Sequence, residues 1–241
     1  MDRLKPGIRP RARAIGFQRW HDLLFLHWEL EPDLLRPLIP ERLELDTFEG
    51  RAFVTLTPFT VRGAKLRGLP RLKALSDFHE INVRTYVHLG GEDPAVWFFS
   101  LDAASALAAA LARASLRLPY CYAQIHRGED GRHRSYQAAR VLPSGPATLS
   151  ASWTIEGEAR PARPGTLEHF LTERYLLFSR AFGHKLFRVQ VHHAPWQLSA
   201  VQDLEVSQTL SAADGVPLLR GAPLSQWSEG VDVDFFPPTL V

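Results

Sequence analysis

An α+β fold built on one large, closed and mostly antiparallel sheet is what this sequence predicts, and three features predict it. Apolar and polar residues alternate at a period of two through many short segments. Gly, Pro, Asp and Glu clusters recur between those segments as turn signals. Only two stretches carry a sustained helical pattern. About nine strands set against two main helices make the sheet large enough to close on itself. At 241 residues and 45% hydrophobic composition, the chain has the length and apolar content to build this as one unit with a substantial core.

The elements follow in order. Residues 1–16 read as a basic, flexible leader: Arg3, Lys5, Arg9, Arg11 and Arg13 are interleaved with Pro6 and Pro10, without apolar periodicity. Residues 17–241 read as the single domain. Leu24, Leu26, Trp28 and Leu30 alternate with Phe25, His27 and Glu29 in a strand that Pro32 ends. Asp33 suits the N-cap of a short helix over 34–39, limited by Pro37 and Pro40. A strand over 52–61 contains Pro58, which implies an edge or a bulge. Residues 65–75 read as an exposed loop. Strands over 78–89 and 95–101 form a hairpin through Gly90-Gly91. Asp102 can cap an alanine-rich helix over 103–114. Further strands are expected over 120–127, 133–142 and 149–155. The second main helix runs from 167 to 182, with Thr166 as N-cap and Gly183 as its stop. Strands over 186–193 and 196–206, a short helix over 210–214 and a last strand over 226–233 complete the chain.

Several function classes are excluded. No apolar run approaches the ~20 residues that span a bilayer, and the N-terminus lacks the apolar region of a signal peptide. A net charge of +2 does not suit a polyanion binder, and nothing aromatic accompanies the basic arm before Phe17. The single Cys121 can form no internal disulfide, and no CxxC spacing marks zinc. No phosphate loop, dinucleotide fingerprint or nucleophile elbow is present. The expectation is a cytoplasmic protein without metal or cofactor, without nucleic-acid or membrane partners, acting on a small-molecule ligand; the oligomeric state is left open.

The strand over 78–87 is the most informative segment. Its alternation puts Glu80, Asn82 and Arg84 on one face and Ile81, Val83 and Val87 on the other. With the apolar row facing the helices, the polar row faces a lumen, where buried charges need partners. Glu80 is then a candidate general base, and Arg84 a carboxylate-holding fork expected to pair with Glu80. Tyr120, a second catalytic candidate, shares a strand face with Tyr122 near a helix carrying Arg113, an arrangement suited to an oxyanion. Phe98, His193 and Trp196 complete the expected ligand-binding set, Trp196 as a pocket wall. Arg174 falls among apolar helix positions and should be buried and paired.

Six strings then become recognisable: WHDLL at 20–24, EINVRTYV at 80–87, FFSLD at 98–102, LPY at 118–120, TERY at 172–175 and HAPW at 193–196. Together, from about residue 18 to 235, the chain resembles the YqjF-like family of uncharacterised bacterial proteins, grouped with proteins of acetoacetate decarboxylase-like fold. The resemblance implies a cone-like, mostly antiparallel barrel enclosing a pocket, and supplies no activity. In the decarboxylase a lysine follows a Gly-Phe-Pro turn and forms the Schiff base. Here the corresponding stretch reads Leu118-Pro119-Tyr120-Cys121, and the four lysines, Lys5, Lys65, Lys73 and Lys185, lie elsewhere. The resulting expectation is a small-molecule-binding protein for an aromatic or carboxylate compound, not a Schiff-base decarboxylase. The alternative is a lyase or hydrolase acting on a small keto or hydroxy acid through Glu80 as base.

Overall fold

A computed structural model describes residues 1–68, 73–217 and 219–241. In chain order they form β1 (Gly16–Leu30), α1 (Pro32–Leu35), β2 (Glu44–Leu45), β3 (Ala52–Leu66), α2 (Lys73–Ser76), β4 (Phe78–Leu89) and β5 (Glu92–Ala103). Next come α3 (Ala106–Leu116), β6 (Tyr120–Asp130), β7 (His133–Leu142), β8 (Thr148–Pro161), α4 (Leu167–Thr172), β9 (Leu176–Arg180) and β10 (Leu186–His192). The chain closes with β11 (Gln197–Gln208), α5 (Leu210–Ala213), β12 (Leu224–Phe235) and β13 (Thr239–Leu240). Among the described residues no helix is long and apolar enough to cross a membrane.

All 13 strands belong to one sheet, antiparallel except where β5 meets β6 and β9. Its centre is a wall in the order β12-β1-β3-β4-β5, and both wall edges fork. At one edge β5 pairs with β9 through Val96 and Trp97 and with β6 through Leu101 to Ala103. At the other, β12 pairs with β11 at Trp227 and with β10 at Asp234 and Phe235. Hydrogen bonds therefore trace two circuits that share the wall, one through β6, β7, β8 and β11, the other through β9 and β10. Because β1, β3, β4 and β5 have an interior on both sides, their two rows of side chains meet different environments.

The first circuit holds the packed core. Leu24 and Leu26 of β1, Val54 and Leu56 of β3, and Ile81 and Val83 of β4 meet Ile125, Tyr136, Trp153 and Ile155 from the far strands, with Leu210 of α5. The apolar row of β4 thus packs chiefly against other strands, not against helices as the alternation alone suggested. Within this core Arg140 is bound on every side: Nε and Nη2 donate to Asp102 at 2.6 and 2.7 Å, Nη1 to Asp214 at 2.7 Å, and Nη2 to Ser100 at 2.7 Å. This clamp ties β5, β7 and the residue after α5 together. Burial opposes the charge on Arg140, yet the two carboxylates hold its proton and the net shift is upward.

Local chemistry explains the turns. Gly90 and Gly91, at φ 58° and 76°, give the β4–β5 hairpin two consecutive left-handed residues. Pro58 stands opposite an irregularity: between the pairs His21–Thr60 and Leu26–Leu56, β1 takes one more residue than β3, and Asp22 sits there at φ 55°.

Four expectations need correcting. The helix expected over 167–182 ends as α4 at Thr172, and residues 176–180 form β9. Leu176 and Phe178 bury one row of an extended segment that β10 and β5 both pair, so tertiary hydrogen bonding outweighs the helical spacing. The fold accordingly has one main helix, α3, instead of two; Gly183 serves the β9–β10 turn. The cap of α3 is Ser105, whose side chain accepts from the Ala108 amide, whereas Asp102 lies inside β5 in the Arg140 clamp. The short helix after β1 begins at Pro32, with Glu31 rather than Asp33 as N-cap. Of the loop expected over 65–75, Lys65 and Leu66 end β3 and α2 starts at Lys73, while 69–72 lie outside the described residues.

Residues 1–15, read from the sequence as a loosely held leader, make specific contacts. Arg3 pairs with buried Asp46 and lies 4.7 Å over the Phe170 ring. Pro6 is buried, and its carbonyl accepts from Gln190 Nε2 at 2.8 Å. Arg9 pairs with Asp234, and the Ile15 amide donates to the Phe235 carbonyl at 2.8 Å. Deleting residues 1–14 removes a part-buried ion pair and a buried proline, together about 2 kcal/mol. Thermal melting of the truncated chain should show a fall of roughly 4–8 °C; an unchanged midpoint would show that these contacts add nothing.

Candidate functional site

The second circuit encloses a cavity of about 600 Å³, the size range of small-molecule sites. The wall supplies the other row of each strand: Trp20, Leu23 and Phe25 from β1, Thr57 and Phe59 from β3, Phe78, Glu80, Asn82 and Arg84 from β4, and Val96, Phe98 and Leu101 from β5. Val189 and Val191 of β10 and Leu176 of β9 face them, α3 lays Ala108, Leu111, Ala112 and Ser115 along one side, and Thr172, Arg174 and Trp196 close the interior end. The lining is largely apolar, with a short polar row running down β4.

Glu80 is 4% exposed, and its sole side-chain hydrogen bond is accepted from the Tyr120 hydroxyl at 3.1 Å. Burial pushes its carboxyl up to about 8; the Tyr120 bond opposes this and the charge of Asp102 adds to it. Tyr120 is driven well above the ordinary phenol range by burial and by Glu80. At neutral pH Glu80 therefore keeps its proton and offers the cavity a donor. The expected Glu80–Arg84 pair does not form. Two strand residues four apart stand about 13 Å from each other along the strand, beyond the reach of a direct ion pair between parallel side chains.

Arg84 instead has no carboxylate partner; its polar neighbour is the Tyr86 phenol. Its Nε and Nη2 are buried without a hydrogen bond, and its guanidinium lies 5.8 Å from the Phe25 ring centroid. Two more polar groups on the cavity wall are in the same condition: Asn82 Oδ1 and Thr57 Oγ1. Arg174, buried and paired with Asp46 at 2.6 Å as its position in the sequence required, also leaves Nη2 unbonded. It stacks 4.3 Å from Phe170 and 4.8 Å from Tyr86, and donates through Nε to the Phe170 carbonyl.

Of the residues singled out from sequence, Glu80, Asn82, Arg84, Phe98, Tyr120 and Trp196 border this one cavity. Arg113, Tyr122 and His193 are not on its wall. Arg113 Nη2 donates to the Tyr120 backbone carbonyl at 2.7 Å and so anchors α3 to β6. Tyr122 pairs with Ala103 of β5 and Leu142 of β7, two residues beyond Tyr120 and outside the cavity lining. His193 is buried behind Trp196, stacked 4.5 Å from Tyr175; Nδ1 donates to the Ala194 carbonyl, and burial lowers the ring to about 4, so it is neutral. Sequence reading did not place Thr57, Phe25 or Arg174 on the cavity. Alternation in β1 and β3 carries the signal for the first two, but the bulge at Asp22 changes its phase. Arg174 was hidden by the mistaken helix.

Cys121 is buried against Ser144, with its thiol pushed up by burial, which matches an unreactive side chain. Burial is the main source of the raised Glu80, and the clamp adds to it. Ala103 and Asp102 of β5 pair with Glu80 and Ile81 of β4, so the clamp, with two carboxylates to one guanidinium, lies directly behind it.

The chain belongs to the DUF2071 family, described as an uncharacterized conserved protein, whose profile matches residues 17–232. It is 35% identical over 220 residues to the uncharacterized protein YqjF of Bacillus subtilis (strain 168), covering 91% of this chain and 90% of that one. Among solved structures it resembles an acetoacetate decarboxylase-like enzyme from Sphingomonas wittichii RW1, with a TM-score of 0.64 at 13% identity over 95% and 93% of the two chains. It also resembles the enduracididine biosynthesis enzyme MppR complexed with pyruvate, with a TM-score of 0.62 at 14% identity over 97% and 93%. These likenesses establish the acetoacetate decarboxylase-like fold.

The buried acid gives a pH signature. An upward shift means that the folded state holds a proton the unfolded chain has released, so wild-type stability falls as pH rises from about 4.5 towards 8. Replacing Glu80 with Gln removes this dependence. Melting curves between pH 4 and 8.5 should bring the variant level with wild type at the acid end and several degrees above it at the alkaline end. Parallel curves would show that Glu80 titrates normally.

Proposed function

We propose that this member of the family is a cytoplasmic small-molecule-binding protein, whose second circuit is the wall of a cone-like closed barrel. Its lumen takes a compound with a carboxylate head and an aromatic or otherwise apolar body. The observation that carries this reading is the bare Nε and Nη2 edge of Arg84. That edge presents two parallel donors in the geometry a carboxylate accepts bidentately. An unpaired buried guanidinium costs stability, and an entering carboxylate removes that cost. The protonated Glu80–Tyr120 pair supplies one further donor, from Glu80, while Phe25, Phe98 and Trp196 supply apolar surface. The likeness to a protein crystallised with pyruvate, itself a small carboxylate, supports the reading.

The second reading, a lyase or hydrolase acting on a small keto or hydroxy acid, rests on the Glu80–Tyr120 pair at 3.1 Å. With its proton retained at neutral pH, Glu80 suits the role of acid better than that of base until the pH passes about 8. A Schiff-base decarboxylation is not part of either reading. Of the lysine side chains described, Lys65 alone borders the cavity, and its ammonium lies 5.5 Å over the Phe17 ring at the rim, away from Glu80. Borohydride trapping in the presence of acetoacetate should therefore leave the intact mass unchanged.

Calorimetric titration at pH 7 with 3-phenylpropionate and its uncharged amide tests the binding reading. The acid should bind at least about tenfold more tightly, equivalent to ~1.4 kcal/mol. Arg84→Met should abolish that preference while leaving the melting temperature unchanged or higher. Equal affinity for acid and amide would contradict the proposal.

A further inference from the structure

The cavity is far longer than a compact acid requires, and its two ends differ in chemistry. From Phe78 to Arg84 the polar row climbs six residues of β4, about 20 Å at the strand rise. At the inner end stand the orphaned donors of Arg84 and Arg174 and the orphaned acceptor of Asn82; Asn82 and Arg174 are 8% and 7% exposed. At the outer end the register pairs Gly16 with Leu66 and Val61 with Phe78, and the rim is open and mostly apolar, with Lys65 over Phe17 beside it: Ile15 is 41%, Leu66 57% and Leu111 52% exposed. Between them run Phe59, Leu101 and the small face of α3, Ala108 and Ala112, which leaves room along the helix. A helix of 11 residues that buries only Ala109 leaves most of its apolar surface uncovered by the protein itself.

Resting on the carboxylate reading above, we infer that the cavity selects an elongated amphipathic monocarboxylate. The head lies against Arg84, and an unbranched apolar tail of about fifteen carbons runs beside α3 to the rim, a length set by the ~20 Å row. Two features support this over a compact aromatic acid. The donors without partners, on Arg84 and Arg174, are confined to the buried end, so a single charged head, which only accepts, satisfies them. The exposed apolar residues of the lining, Ile15, Leu66 and Leu111, are confined to the rim, so an apolar tail meets apolar surface until it emerges.

The test is calorimetry on the full chain with the n-alkanoates from hexanoate to octadecanoate and the matching n-alkanols, each below its micellar concentration. Affinity should rise about threefold to fourfold per methylene and level off near hexadecanoate, where the tail emerges. Leu111→Glu, at the rim, should weaken hexadecanoate at least tenfold and leave hexanoate unchanged. Arg84→Met should weaken all the acids by one common factor. Affinity independent of chain length would overturn the tail while leaving the carboxylate reading standing. Alkanols binding as tightly as acids would overturn the head and spare the tail. Absence of binding by every acid would overturn both.

Discussion

The structure depends on one constraint: the wall β12-β1-β3-β4-β5 is shared by two circuits, so β1, β3, β4 and β5 have no solvent face through their middle. A strand in an ordinary antiparallel sheet hides one row and hydrates the other. In β4 both rows are enclosed, the row of Ile81 and Val83 by a dense core and the row of Glu80, Asn82 and Arg84 by a cavity. The alternation that would mark a surface strand elsewhere here sorts residues between a packed interior and an open one. The forks at β5 and β12 make this possible, because each splits its length between two partners.

Within that frame the treatment of three buried guanidinium groups is informative. Arg140 is satisfied by Asp102, Asp214, Ser100 and Ser144, as the cost of burying a charge demands. Arg174 has Asp46 and a backbone carbonyl, with one nitrogen left over. Arg84, facing the cavity, has an aromatic face and nothing ionic. The same chain that pairs its structural arginines leaves this one bare, and the nearest acid on its row is held protonated. Both facts leave the cavity wall short of negative charge. The Arg140 clamp contributes at a distance: its surplus carboxylate lies behind Glu80 and helps to keep the proton there. Core and cavity are thus coupled electrostatically through the pairing of Asp102 with Ile81 and of Ala103 with Glu80.

Much of this was legible in the sequence. The α+β class, most strand positions, the β4–β5 hairpin and the two rows of β4 follow from period-two alternation and turn chemistry. The family strings carried the fold, which the likeness to decarboxylase-like structures supports. What escaped has physical causes. Residues 167–182 keep helical spacing, yet Leu176 to Arg180 gain two strand neighbours that no local pattern reveals. The Glu80–Arg84 pair looked natural as an i, i+4 couple, a spacing that brings side chains together on a helix and separates them on a strand. Asp46, partner to both Arg3 and Arg174, lies far from each in sequence, so neither the anchoring of the N-terminal segment nor the orientation of Arg174 could be read from neighbours.

The central claim is that Arg84 waits, charged and unpaired, for a carboxylate inside the cavity. The measurement that reaches it most directly is the nitrogen-15 spectrum of the arginine Nε–H groups, with the Arg84 signal assigned by its loss in Arg84→Met. Saturating decanoate should shift that resonance and protect its proton from exchange, while decanol at equal occupancy leaves it where it was. An Arg84 signal unmoved by the acid, or moved alike by acid and alcohol, would contradict the account.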